Sequence, residues 1–419
     1  MVAILQFCER YGLVPVLLFS FQLLAPDMSS KADLMDRDLA GYTESISGND
    51  IFKQLFWVSC ALVYGVCLLS RGLSRVSKQL FFLIVCLVLV LVITTISLSW
   101  TAFFSFTLKR IIFQIIFVFV IFSSVYFSLS RATFSKNICV VISVSIVMGL
   151  MALGLSGWDP VRGFSGWAAT KNAFGGYILA LILLILFSYS IRLDSRRPLL
   201  NFEIISMFIL FFFLVLSISK TAIMLGVLVM VSYCLNKSIL KTLTACIMVL
   251  LIGLFVIAPG LSVTLGDEWN VAVLMDDETL TGRGGIWRVL YADLMVNDRF
   301  STGYGYGAYF GVGQIPEYID DPWSYIRYLN SAHNSYVELM LQLGWLPTLV
   351  VLCILFAAVF RVDSKCAYLC LLTVGIHSIT ESSILRDAHV MWVVYISAIA
   401  FGFYESNSES EKAIIDEIS

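Results

Sequence analysis

The stretch QLFFLIVCLVLVLVITTISL, residues 79–98, carries no charged side chain from end to end. A helix rises about 1.5 Å per residue, so a run of about 20 residues covers the ~30 Å of a bilayer's hydrocarbon core. The strict apolar–polar alternation of a membrane β-strand is absent. This run therefore reads as a transmembrane helix, and the chain around it repeats the pattern. Similar runs lie near 4–25, 51–70, 109–129, 137–155, 173–191, 201–218, 221–236, 239–258, 335–360, 365–380 and 389–404, which makes about twelve spans. Composition agrees. The 419 residues are 59% hydrophobic and 13% charged, with a mean hydropathy of +0.90, whereas a soluble domain is about half apolar and a quarter charged. The expected fold class is an all-α polytopic membrane protein. No cleavage site of small residues follows the first apolar run, so that run is read as retained and not as a signal peptide.

The net charge of -2 points to no partner, but its distribution sets an orientation. The short basic links RGLSRVSK, SRATFSK, RLDSRRP, NKSILK and RVDSK all fall on one side if the spans alternate. The positive-inside rule makes that side cytoplasmic, with both termini. The expected division is residues 1–258 as spans one to nine, 259–334 as a large outer loop, 335–404 as spans ten to twelve, and 405–419 as an acidic cytoplasmic tail. After the turn-like LTGRGG, the run IWRVLYADLMV has helical apolar spacing, so the large loop should contain short helices. A smaller outer loop, SGWDPVRGFSGWAATKN, covers Ser156–Asn172, and DMSSKADLMDRDLAGYTESISGND is a third, acidic and turn-rich. All ten cysteines lie in or beside apolar runs, which favours small apolar packing residues over a disulfide framework or a metal cluster.

Cations on the outer side run against the orienting bias and are the first candidates for chemistry. Lys220, in LVLSISKTAIML, sits in a link of a few residues between two apolar runs. A charge there needs a partner or water. It either snorkels from a helix end or faces a polar cavity and holds an anion. Arg283, in TGRGGIW, is flanked by glycines that let its guanidinium approach a ligand, and such a fork grips phosphate or carboxylate oxygens in pairs. Its plainer role is a salt bridge with Asp276–Glu278. Arg288 would point to another side of the same helix, with Asp293 or another loop acid as a plain partner, and Trp287 is a packing or interface aromatic unless it supports the site. Arg162 and Lys171 bracket the smaller loop, and Lys171-Asn172 opens a span where helix N-terminal amides also favour anions. The glycine-spaced STGYGYGAYFGVGQ suits tight turns or close backbone approach; it lacks the lysine ending of a nucleotide-binding phosphate loop.

The chain has three histidines, and all map to the outer ends of helices. His333 stands out in AHNSYVELMLQLGW, because it precedes Asn334 at a helix entrance. Histidine titrates near neutrality, which suits a general base; a structural hydrogen bond is the alternative. Glu338 shares a helix face with Asn334 and reads as a helix-start partner. Glu381 reads as paired with Arg386 in HSITESSILRDAH. Cations and one imidazole, outside the cytoplasm and at the lipid boundary, suit a membrane-anchored diphosphate sugar: cations hold the leaving group and the imidazole takes a proton.

On these residues the chain resembles the O-antigen ligase and Wzy-type polysaccharide polymerase superfamily. The matching pieces are SLSWTAFFSFTLKR (Ser97–Arg110), RGFSGWAATKNAFGGY (Arg162–Tyr177), SISKTAIML (Ser217–Leu225), LTGRGGIWR (Leu280–Arg288), GYGYGAY (Gly303–Tyr309) and AHNSYVELMLQLGW (Ala332–Trp345). They occur in the family's order over about residues 90–390, and look most like the exopolysaccharide polymerase branch. Lys220 stands where many relatives carry arginine, and Thr170 where relatives often have histidine. The resemblance implies a GT-C-like fold with a large periplasmic loop in a bacterial inner membrane. It implies an inverting glycosyltransferase that works without metal or cofactor on undecaprenyl-diphosphate-linked donor and acceptor. By motif, Arg283 and Lys220 would bind the diphosphate, with Arg162, Lys171 and Arg288 around it. His333 would activate the acceptor, supported by Asn334, Glu338, Trp287 and Glu381. The expected partners are these lipid-linked oligosaccharides, membrane lipids and other polysaccharide export proteins, with no nucleic acid. The alternatives are an O-antigen ligase delivering glycan to lipid A-core, and a lipid-linked glycan transporter.

Overall fold

The computed structural model describes residues 2–26, 51–71, 78–128, 131–193, 200–265, 282–310, 312, 329, 331–386 and 389–402. Among these every regular element is a helix. In chain order they are α1 (Val2–Tyr11), α2 (Leu13–Ser20), α3 (Ile51–Arg71), α4 (Lys78–Ile96), α5 (Phe104–Phe127), α6 (Arg131–Ser156), α7 (Lys171–Leu193), α8 (Leu200–Ser217), α9 (Lys220–Cys234) and α10 (Lys237–Ile252). Then come a π-helical turn (Gly253–Ile257), α11 (Ala258–Leu265), α12 (Arg283–Val296), α13 (Ser335–Leu343), α14 (Trp345–Val362), α15 (Lys365–His377) and α16 (Val390–Gly402). The acidic segment 27–50, the tail 405–419 and the loop stretches 266–281 and 313–328 lie outside the described residues, as do Asp276–Glu278 and all of RLDSRRP after Leu193.

Seven of these helices are long and apolar enough to cross a membrane, and α1 with α2, bent by 53° at their junction, make an eighth if taken as one span. Four expected spans are shorter apolar helices: Phe202–Ser217, Lys220–Cys234, Lys365–His377 and Val390–Gly402. The run expected as one span over 335–360 is divided. Gly344, at φ 81° and ψ 171°, ends the nine-residue α13 and starts α14. Only glycine adopts that backbone region without strain. A Cβ there would stand 2.2 Å from the Ser301 carbonyl oxygen. The last turns of α10 relax through the π turn, and the helix runs on to Leu265.

Burial follows from apolarity all round. Ile178 to Leu186 of α7, Leu369 to Leu372 of α15 and Val390 to Tyr395 of α16 are sequestered, as expected of helices that face other helices on every side. The α7 helix packs on α6, α8 and α9, while α15 packs on α9, α10 and α14. Residues such as Leu62, Leu69, Phe208 and Met224 keep large apolar side chains exposed on the outside of the bundle, the surface a bilayer would cover. The two ends of α15 differ. Asp363, just before it, binds Lys237 Nζ at 2.8 Å and Lys241 Nζ at 3.1 Å. The opposite end carries the candidate site.

Candidate active site

Arg283 is the first residue of α12, and Gly282 before it takes φ 93° to turn the chain into the helix. Its guanidinium reaches the loop that follows α15. Nη2 lies 3.2 Å from Glu381 Oε1, and Nη1 donates to the Thr380 carbonyl. The other oxygen, Glu381 Oε2, lies 3.3 Å from His333 Nδ1. One carboxylate therefore joins the arginine to the histidine. Burial works against its ionisation, yet the hydrogen bond with His333 and the charges of His333, Arg283 and His377 outweigh it and hold the carboxyl down to about 2. A carboxylate facing Nδ1 assigns the neutral ring's proton to that nitrogen and leaves Nε2 as the acceptor. The His333 side chain is 33% exposed, enough for an incoming hydroxyl to approach.

Local sequence explains why His333 stands there. Asn334 caps α13, its Oδ1 accepting the N–H groups of Tyr336 at 2.9 Å and Val337 at 3.2 Å, so the residue before it lies just outside the helix. His333 itself takes φ 50°, a left-handed conformation that histidine tolerates better than bulkier side chains. Trp287, one turn after Arg283 on α12, donates from Nε1 to the Ala332 carbonyl at 3.0 Å. The Glu381 loop is fastened to the same helix start. Ser335 Oγ accepts from Ser383 N–H at 2.7 Å and Ile384 N–H at 3.2 Å.

The remaining cations form a second group around the α8–α9 link. Lys171 and Lys220 are the first residues of α7 and α9, and Ser219 Oγ donates to Asn172 Oδ1 at 3.2 Å across the two helix starts. The smaller loop folds onto this link through Phe164 N–H to the Leu216 carbonyl, 2.8 Å. Gly163 lies so close that a Cβ would stand 3.2 Å from Lys171 Cδ. Arg162 is exposed, 4.0 Å from Asp159. The two groups share one end of the bundle: a Cβ on Gly176, in the second turn of α7, would lie 3.7 Å from His377 Nε2, four residues before Glu381.

One sequence-based expectation changes and another loses one of its two alternatives. Glu381 was expected to pair with Arg386, but its carboxylate is taken by Arg283 and His333. Asp293, considered as a partner for Arg288, is buried and accepts from Tyr304 Oη at 2.7 Å and Asn297 Nδ2 at 2.9 Å. Arg288 is exposed and turned about 140° around α12 from Arg283. The other histidines are structural in position: His377 is buried, and His389 Nδ1 accepts from Met391 N–H at 3.3 Å at the start of α16. Thr380 and Ser335 were not anticipated, because their partners lie 97 and 48 residues away and no local pattern links them. The glycine-spaced loop serves close approach. Arg110 Nη1 donates to the Gly307 carbonyl at 2.5 Å and Tyr306 N–H to Ser97 Oγ at 2.9 Å. Tyr306 Oη in turn donates to the Leu385 carbonyl at 2.6 Å, bracing the Glu381 loop. Among the described residues no group of three or more His, Cys, Asp or Glu side chains converges as metal ligands.

These features define a helical membrane protein with an arginine–carboxylate–imidazole chain at one end of its bundle and helix-start lysines at the same end. The family model described as O-antigen ligase matches residues 205–352, from α8 into α14, and includes Lys220, Arg283 and His333. Over that stretch the chain is similar to the O-antigen ligase and Wzy-type superfamily, whose members are glycosyltransferase-type ligases and polymerases. Glu381 falls beyond the matched stretch. No curated protein matches the chain significantly.

Proposed function

We propose that the chain is a polysaccharide polymerase, an inverting glycosyltransferase that joins undecaprenyl-diphosphate-linked repeat units at the periplasmic face of a bacterial inner membrane. The single observation that carries this reading is the Glu381 carboxylate bonded to both Arg283 and His333. In the proposed reaction the acceptor hydroxyl gives its proton to His333 Nε2. Its oxygen bonds to the donor's anomeric carbon from the face opposite the diphosphate, and the carbon–oxygen bond to phosphate breaks with inversion. The departing diphosphate takes the bonding electrons, and cations stabilise that charge. Arg283 has five N–H donors, of which two bonds go to Thr380 and Glu381, so further donors remain for phosphate oxygens. Lys220, Lys171 and Arg162 supply charge nearby and Arg288 lies at the rim. No metal or cofactor is required by this scheme. Asn334, Glu338, Trp287 and Glu381 hold the base. In this reading the four shorter apolar helices also cross the bilayer, giving twelve spans of GT-C-like arrangement with both termini cytoplasmic. Other polysaccharide export proteins would receive the product.

The test is His333→Ala in a deletion strain, with the protein shown to reach the membrane. Polymer is expected to be lost and single lipid-linked repeat units to accumulate; normal polymer would refute the base role. The family's description, O-antigen ligase, favours a second reading, transfer of a finished glycan to lipid A-core. That reading requires unligated long chains in the deletion strain instead of single units.

A further inference from the structure

The His333–Glu381 pair is held from behind by a second carboxylate. Glu338 Oε2 accepts from Ala332 N–H at 2.7 Å and from the Ser382 hydroxyl at 3.1 Å. Ala332 directly precedes His333, and Ser382 directly follows Glu381. A single oxygen atom thus ties together the two segments that carry the pair. The other oxygen, Oε1, accepts from Gln342 Nε2 at 3.1 Å, one turn along α13, which fixes the carboxylate on a rigid element. The next peptide, which joins Ala332 to His333, is pinned as well, through the Trp287 bond to the Ala332 carbonyl. The left-handed backbone of His333 is therefore over-determined by its neighbour, the condition under which such a conformation persists.

Three donors converge on the two Glu338 oxygens. A carboxylate is acceptor-only, whereas a glutamine amide of the same shape would turn N–H groups toward at least one donor. We propose that Glu338 is a positioning residue for the transfer reaction: it sets the separation and ring orientation of His333 against Glu381 without touching substrate. This rests on His333 being the base. It assigns Glu338 more than support of its own helix start, because the Ser382 bond belongs to a different loop.

The experiment uses the full chain in lipid nanodiscs, with lipid-linked glycan extracted from the membranes of the deletion strain as donor and acceptor. Glu338→Gln, Glu381→Gln and the double variant are compared with wild type. Glu338→Gln should lower kcat roughly 10- to 100-fold, the scale of a base displaced by a fraction of an ångström to an ångström, with donor KM within about twofold. Because both variants act through one pair, the double variant should be no more than about twofold slower than Glu381→Gln. Losses that multiply, or a kcat within about twofold of wild type, would overturn the proposal. Ser382→Ala removes one donor and leaves Glu338 in place; a fall of roughly three- to tenfold is expected even if Glu338→Gln does not fold, and an unchanged rate counts against it. A second readout needs no turnover. Diethyl pyrocarbonate labelling, mapped by mass spectrometry to His333, should change several-fold in rate in Glu338→Gln, and an unchanged rate overturns the proposal. If wild type shows no transfer, the glycosyltransferase reading fails by itself and the labelling still decides whether Glu338 holds the ring.

Discussion

Replacing Glu381 by glutamine keeps the side chain's shape, removes its charge and turns one of its two acceptor oxygens into an N–H donor, which tests what the carboxylate does. The protein holds this carboxyl at about 2 against an ordinary 4.5; burial opposes that, and His333 and Arg283 outweigh it. At about 1.4 kcal/mol per pH unit the difference corresponds to about 3 kcal/mol. Glu381 is 25% and Arg283 17% exposed, so water screens part of the interaction, and a loss of about 1–3 kcal/mol is expected at neutral pH. The sign is fixed by linkage. A depressed carboxyl stabilises the fold fully above the unfolded value of 4.5, and that stability is lost as the pH falls toward 2. Unfolding of wild type and Glu381→Gln in detergent should therefore differ above about pH 5, and the gap should close as the pH falls from there toward 2. Turnover should fall by about 10²- to 10⁴-fold, since the ring loses the group that fixes its tautomer and stabilises the imidazolium. A variant with wild-type unfolding and wild-type turnover, or a gap that persists undiminished as the pH falls from about 4.5 to 2, would refute this account of the site.

Gly344→Ala should cost more than about 3 kcal/mol, because its Cβ would enter the Ser301 carbonyl at a backbone angle closed to alanine; the check is recovery of monodisperse protein and its unfolding midpoint. Asp363→Asn, at the far end of α15 from the site, should cost no more than about 1 kcal/mol, because its lysine partners are nearly half exposed. That loss should shrink in high salt, and glycosyl transfer should stay at the wild-type rate.

The membrane class was legible because it depends only on run length and polarity. Span boundaries were less so. The run 335–360 is apolar throughout, and hydropathy does not register that Gly344 takes a backbone angle at which a helix ends. The same limit hides the meaning of GYGYGAY. Its glycines signalled close approach, but not that the approaching groups are Arg110 and Ser97, 197 and 209 residues away. At the site, Asn334 was readable as a cap and His333 as the residue outside it, since both follow from local helix chemistry. Glu381 was visible as a charge beside an apolar helix, yet its partner was assigned by proximity in sequence, to Arg386. The pairing is set instead by the start of α12 reaching the loop after α15, a tertiary contact with no trace in local spacing.

That tertiary contact also divides the work between the two kinds of cation. A guanidinium offers a planar fork of fixed geometry, and an ammonium a point charge on a flexible stem. At position 283 the fork is partly committed to Glu381 and Thr380, so an anion bound by its remaining N–H groups would be aligned relative to His333 through one rigid side chain. An ammonium at that position would lack the in-plane geometry needed to hold carboxylate and diphosphate together. In the proposed reaction Lys220 carries no such double duty: it is exposed at the start of α9 and would supply charge alone. In the proposed reaction, arginine is therefore required at 283, where direction matters, and lysine is sufficient at 220, where only charge does.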